Sequence, residues 1–183
     1  MPIPLGILAA AGFSPAVAGG SYDLLESSVL TSSASIVEFT NLATKYASTY
    51  QHLQVRIVAL SGQENWATIR LNADSTAGNY RSHALSGNGS TVSSAAYNGT
   101  SNGADIQIIA GGTVPSPSIV DILDPFEAKN KTIRSMTAIN SSGSTIALTS
   151  GLYISTSQLT EIRFRHSSSN FSIGSRFSLY GVK

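Results

Sequence analysis

Three histidines, ten carboxylates and 31 serines are the side chains of this 183-residue chain that acid–base or nucleophilic chemistry would have to use. His52, His83 and His166 lie at least 31 residues apart, so no local His-x-His or His-x₃-His ligand pair exists. Each sits in or beside a run of alternating apolar and polar residues, which suits a pleat residue packed against its neighbours better than a metal ligand. A Ser-His-Asp triad is assembled by the fold rather than by spacing, and among so many serines a chance combination is always at hand. The carboxylate pairs a glycosidase would need are Asp121 with Asp124, or Asp105 with Glu161. Asp121 falls on the polar side of an alternating strand and Asp124 precedes Pro125, where an Asp favours a turn. Structural roles explain both. One carboxylate, Asp74, in a polar loop is too little for a calcium site. Gly87-Asn88-Gly89-Ser90-Thr91 lacks the lysine and the following helix of a phosphate-binding loop. No catalytic residue, metal ligand or cofactor site is therefore assigned.

The aromatic residues offer a binding chemistry instead. Trp66, Tyr80, Tyr97 and Tyr153 are candidates for a carbohydrate platform, since ring faces stack on sugars and hydroxyl-rich loops hydrogen-bond them. The competing explanation is cross-strand and core packing.

Stepping from these residues to the elements that must carry them, the dominant period beyond Ser21 is two. Leu53, Val55, Ile57 and Ala59 fall on one face of the run His52–Ser61, with Gln54 and Arg56 opposite. Comparable runs occur at Tyr22–Leu30, Ser35–Thr40, Trp66–Asn72, Tyr80–Leu85, Asp105–Ala110, Ser118–Asp124, Thr132–Ile139, Thr145–Ser155, Leu159–His166 and Ser175–Val182. Turn signals such as Gly62, Asn72-Ala73-Asp74 and Ser141-Ser142-Gly143 separate them. Only Asn41–Ser48 and Pro125–Asn130 read as helical. The stretch Ser86–Gly103, rich in Ser, Gly and Asn, reads as one long exposed loop. An all-β fold of about 8 to 11 short strands follows, a sandwich or a barrel.

Composition narrows the partners. Charged residues are 11% of the chain, against about 25% in typical soluble domains. Ser, Thr and Asn, at 31, 15 and 10 residues, solvate the surface instead. A formal charge of +1 leaves no electrostatic footprint for nucleic acid, and the absence of cysteine excludes disulfides and thiolate sites. So little net charge provides weak repulsion between copies, which suits a protein whose working state is assembled.

The first twenty residues differ from the rest: Met1 to Gly20 carry no charge, the first carboxylate being Asp23 and the first cation Lys45. Pro2, Pro4, Pro15 and four glycines make a poor membrane span, and no basic residue opens a signal peptide. The segment reads as an extended apolar arm, residues 1–20, ahead of a single domain, residues 21–183. Ile3, Leu5, Ile7, Leu8, Phe13 and Val17 are its assembly residues.

Several stretches carry a resemblance. They are Met1-Pro2-Ile3-Pro4-Leu5-Gly6, Ser21-Tyr22-Asp23-Leu24-Leu25-Glu26, Tyr50-Gln51-His52-Leu53-Gln54-Val55-Arg56, Arg70-Leu71-Asn72 and Asn79-Tyr80. Val120-Asp121-Ile122-Leu123-Asp124, Lys129-Asn130-Lys131-Thr132-Ile133-Arg134 and Gly174-Ser175-Arg176-Phe177-Ser178-Leu179-Tyr180-Gly181 complete the set. Along nearly its whole length the chain resembles small virion proteins of tailed bacteriophages. That resemblance implies an antiparallel jelly-roll-like β-sandwich on the outer surface of the particle, without enzymatic activity. The first expectation is a capsid cement or decoration subunit, a homo-oligomer with a trimer favoured, anchored through the arm to major capsid or tail protein. The alternative is a tail-fibre or receptor-binding subunit that contacts host surface glycans.

Overall fold

The computed structural model describes residues 20–62, 65–98, 104–110, 114–139, 144–166 and 168–183, with the side chains of Asn65, Ile139 and 104–110 excepted. In chain order the strands are β1 (Tyr22–Val29), β2 (Ile36–Thr40), β3 (His52–Ala59), β4 (Asn65–Leu71), β5 (Tyr80–Gly87) and β6 (Val92–Tyr97). They continue as β7 (Ala104–Ala110), β8 (Ser116–Leu123), β9 (Lys131–Ile139), β10 (Thr145–Tyr153), β11 (Glu161–His166) and β12 (Arg176–Val182). A short helix, α1 (Leu42–Tyr46), follows β2.

Two antiparallel sheets pack as a sandwich. The larger has eight strands in the order β1-β12-β3-β8-β9-β10-β5-β6, and the smaller has four in the order β2-β11-β4-β7. Four pairs are nested in sequence: β1 with β12, β2 with β11, β3 with β8, and β4 with β7. The hairpins β5–β6 and β9–β10 are inserted between these pairs and widen the larger sheet on one side only.

Alternation produces this geometry directly. Along β8 and β5 buried and exposed residues take turns, so each strand presents one face to the core and one outward. Phe164, Phe171 and Phe177 meet at the centre, with ring centroids 5.5 Å apart for Phe164–Phe177 and 5.0 Å apart for Phe171–Phe177. Leu42 of α1 is fully buried and ties the helix to the same cluster.

Two local expectations need correction. Pro125–Asn130 forms turns, not a helix. Asp124 takes a left-handed backbone (φ 48°), and the buried Lys131 ammonium draws in the carbonyls of Glu127, at 2.6 Å, and Lys129. Those oxygens are thereby turned towards a cation and away from a helical ladder. The second correction lies in Ser86–Gly103. Its middle is β6, paired with β5 across a tight turn in which Gly89 has φ 87° and the Asn88 side chain accepts the Ser90 and Thr91 amides. Strand β6 escapes the period-two test because it is an edge strand exposed along nearly its whole length.

Candidate interaction surfaces

The histidine that comes nearest to a catalytic arrangement is His166, which is buried and has Nε2 2.8 Å from Ser61 Oγ. The Ser169 amide donates to His166 Nδ1 at 2.9 Å, so that nitrogen holds a lone pair. In a neutral ring the proton is then on Nε2 and points at Ser61, the reverse of what a base activating that serine requires. His166 packs edge-on to Phe171 and joins β11 to the end of β3. His83 stands exposed on β5.

His52 belongs to a cleft of about 560 Å³ at one end of the larger sheet, lined also by Tyr50, Asp124, Glu127 and Lys129. The Asp124 amide donates to His52 Nδ1 at 3.0 Å, and Lys129 Nζ pairs with Asp124 Oδ2 at 2.8 Å. That lysine holds the Asp124 carboxyl below its ordinary range. Beside it, Lys183 and the Tyr50 hydroxyl lower Asp23 in the same way, at 2.7 and 3.0 Å. Lys131 is buried, and desolvation lowers its ammonium pKa. These contacts tie together β1, β3, β8 and the end of β12, and they explain the polar residues as braces of this end of the sheet.

The carboxylates considered as pairs are occupied separately. Asp121 accepts from Gln54 Nε2 at 2.8 Å and lies opposite Arg134 in the ladder. Glu161 pairs with Arg163 at 2.7 Å, and the Asp105 side chain lies outside the described residues. Asp74 is taken up by protein donors: the Thr76 amide on one oxygen, and Asn79 and the Tyr153 hydroxyl on the other at 2.7 and 3.1 Å. Among the described residues no three His, Asp or Glu side chains converge as a metal site.

The aromatic platform is not assembled. Tyr80 and Tyr153 are buried, stacked at 5.0 Å between centroids, with the Tyr80 hydroxyl donating to the Asp74 and Leu71 carbonyls. Their faces are closed to any ligand, and packing explains them. Burial drives the phenols of both upward. Trp66 is partly exposed on β4 of the smaller sheet, while Tyr97 ends the edge strand β6 of the larger one. The buried Tyr80–Tyr153 pair, Trp66 and Tyr97 thus belong to three separate places. A Gly-x-Ser-x-Gly spelling occurs at Gly99-Thr100-Ser101-Asn102-Gly103. It lies outside the described residues, between β6 and β7 in chain order.

The outer face of the larger sheet carries what sequence reasoning missed. Ile119, Met136, Leu148 and Leu85 stand directly opposite one another across β8, β9, β10 and β5. The adjacent row runs from Val58 through Pro117 on β8 and Ala138–Ile146 on β9–β10 to Gly87 and Val92. Met136, Leu148 and Leu85 are about half exposed, at 51, 51 and 50%, and Ile146 and Val92 more so, at 60 and 74%. Between Ile119, Met136 and Ile146 lies a shallow groove of about 230 Å³. On the side nearer β1 the strip stops at a polar band. Arg56 lies over the Tyr180 ring at 4.3 Å and the Tyr22 ring at 5.3 Å, and donates to Gln54 at 2.8 Å.

The signal for this strip was present as apolar residues on the second face of several strands, but only pairing shows that they align. The assembly residues Ile3, Leu5, Ile7, Leu8, Phe13 and Val17 lie outside the described residues. Comparison with protein-family models, with curated proteins and with solved structures finds no match for this chain. Among the described residues no helix is long and apolar enough to cross a membrane.

Proposed function

We propose that this chain is a non-enzymatic structural subunit on the outer surface of a bacteriophage particle, a capsid cement or decoration protein whose arm anchors it to neighbouring subunits. The resemblance along the sequence supplies the virion context. The observation that carries the structural role is the exposed apolar strip on the larger sheet, in a chain whose first 19 residues are uncharged. Contiguous apolar surface on a water-facing sheet marks an interaction site. The four nested strand pairs support a jelly-roll-like reading of the sandwich, because they are the pairs made when one long hairpin is wound into two layers. The low charge and the apolar strip support reading the chain as a homo-oligomer, a trimer by preference.

The alternative, a tail-fibre or receptor-binding subunit, draws on the β5–β6 hairpin. Its tip at Asn88–Thr91 projects hydroxyl and amide groups without charge, a surface chemistry suited to host glycans. Mass spectrometry of gradient-purified particles tests the common part of both readings. The chain is expected among the virion proteins at many copies per particle. Its absence from particles whose genome encodes it would overturn both.

A further inference from the structure

We propose that the apolar strip on the outer face of β8, β9, β10 and β5 receives the segment Met1–Gly19 of a second copy of this chain. The inference rests on the assembly role given above and names the surface that the arm engages.

Chemistry matches donor to acceptor. The segment holds no charged residue, and its Ile3, Leu5, Ile7, Leu8 and Phe13 have nothing to gain from water. Along the row Ile119–Met136–Leu148–Leu85 no charged side chain intervenes. Length also matches. The strip from β8 to β6 crosses four strand gaps, about 19 Å at the usual spacing, and eleven extended residues such as 3–13 span about 36 Å. The segment therefore crosses the strip with residues to spare for the connection.

Position decides whose arm it is. The described chain emerges at Gly20, beside the first residue of β1, where Ser21 accepts from the Lys183 amide. Strand β1 is the edge opposite β6, and Tyr22 aligns with Val182 and His52, four residues along β3 from the Arg56–Ile119 row. The exit is thus diagonal to the strip, about 20 Å from Ile119 by strand geometry. Between them stands the Tyr22–Arg56–Tyr180 stack with Gln54 and Asp121. An arm folded back on its own subunit would have to lie across that guanidinium and carboxylate and strip water from them. An arm arriving from a neighbour, on the β6 side, first crosses Val92 and Ser94 and can follow the Val92–Ile146 row, with Arg134 and His83 standing to the far side of Leu148 and Leu85. Donor corner and acceptor strip are different patches, so the contact is head-to-tail, the kind that closes into a ring when the rotation permits. A trimer is one such closure.

The natural absence of cysteine makes the test clean. Full-length chains carrying Leu5→Cys, Leu8→Cys or Phe13→Cys are each mixed with full-length chain carrying Leu148→Cys, and a short bis-maleimide is added. A covalent dimer joining arm to strip is expected for at least one arm position. Adding Met136→Glu to the Leu148→Cys chain, at an exposed site, is expected to weaken the association and cut the cross-linking rate by about tenfold or more. A link found only within one chain, when both cysteines are placed together, would overturn the proposal in favour of an arm covering its own sheet. No link at any arm position would overturn it as well. That last result leaves the virion role standing if mass spectrometry finds the chain in particles, because the arm would then engage a different protein.

Discussion

Asp74 illustrates how a single residue read as a weak ligand candidate turns out to organise its surroundings. Burial raises its carboxyl, but the hydrogen bonds from Asn79, Thr76 and Tyr153 outweigh that and hold it below the ordinary 3.8. A carboxyl whose folded value is depressed contributes stability that is present above its unfolded value and lost as pH falls through the folded one. The expected outcome is a loss of thermal stability beginning below pH 4. Asp74→Asn places an amide against the donors of Asn79 and Tyr153, and at pH 7 it is expected to cost about 2 kcal/mol. The gap between variant and wild type should close as pH drops below the folded value, as measured by calorimetry across pH 2–7. A gap that stays constant with pH would mean that the carboxylate charge is not what these donors need. The sequence revealed that this loop is polar. It did not reveal that Tyr80 and Tyr153 stack beneath it, because an alternating strand says which face a ring takes and not what covers that face.

Among the elements, strands with one buried face were legible and the two misreadings have distinct causes. Strands β3, β8 and β11 bury alternate residues, and their periods mark them within a residue or two. Strand β6 buries nothing strongly, so its sequence Val92–Tyr97 has no amplitude to detect. The turns after Asp124 are held by Lys131, a contact made by a side chain on the next strand and absent from any local pattern. Glycine at 181 was equally opaque. Strand β12 passes under the Tyr50 ring there, and an added Cβ would fall inside the van der Waals envelope of three ring carbons. Gly181→Ala must displace that ring, which holds Asp23 at 3.0 Å and meets Tyr46 edge-on. The expected destabilisation is about 1–3 kcal/mol, read from denaturant midpoints. Tyr50→Ala should recover part of it in the double variant; complete additivity would show that the two residues do not press on each other.

For the molecule as a whole, the order of strands could not be read from the chain, because pairing partners leave no trace in a local period. That is why the widened sheet, and with it the continuous apolar strip, appears only in the fold. The domain boundary expected at Ser21 rests on the composition change there, because residues 1–19 lie outside the described residues. Among the described residues the core draws on residues from Val37 to Leu179. A chain starting at Ser21 is therefore expected to keep its β-sheet circular dichroism and to melt within about 2–4 °C of the full chain. It should also lose the ability to form the proposed oligomer, seen in light scattering as a monomer lighter than the 19.0 kDa full-length chain. Loss of the β signal would instead make the arm part of the core.

The central claim is a place on the outside of a phage particle, and immunogold electron microscopy tests it most directly. Antibody raised against Ser21–Lys183 would be applied to purified particles of the phage that encodes the chain. Gold distributed over the head is the expected result and fits a subunit that covers capsid junctions. Gold confined to the tail would favour the receptor-binding alternative. Particles that contain no gold, while the same antibody binds the isolated protein and no signal appears after mild disruption, would contradict the account.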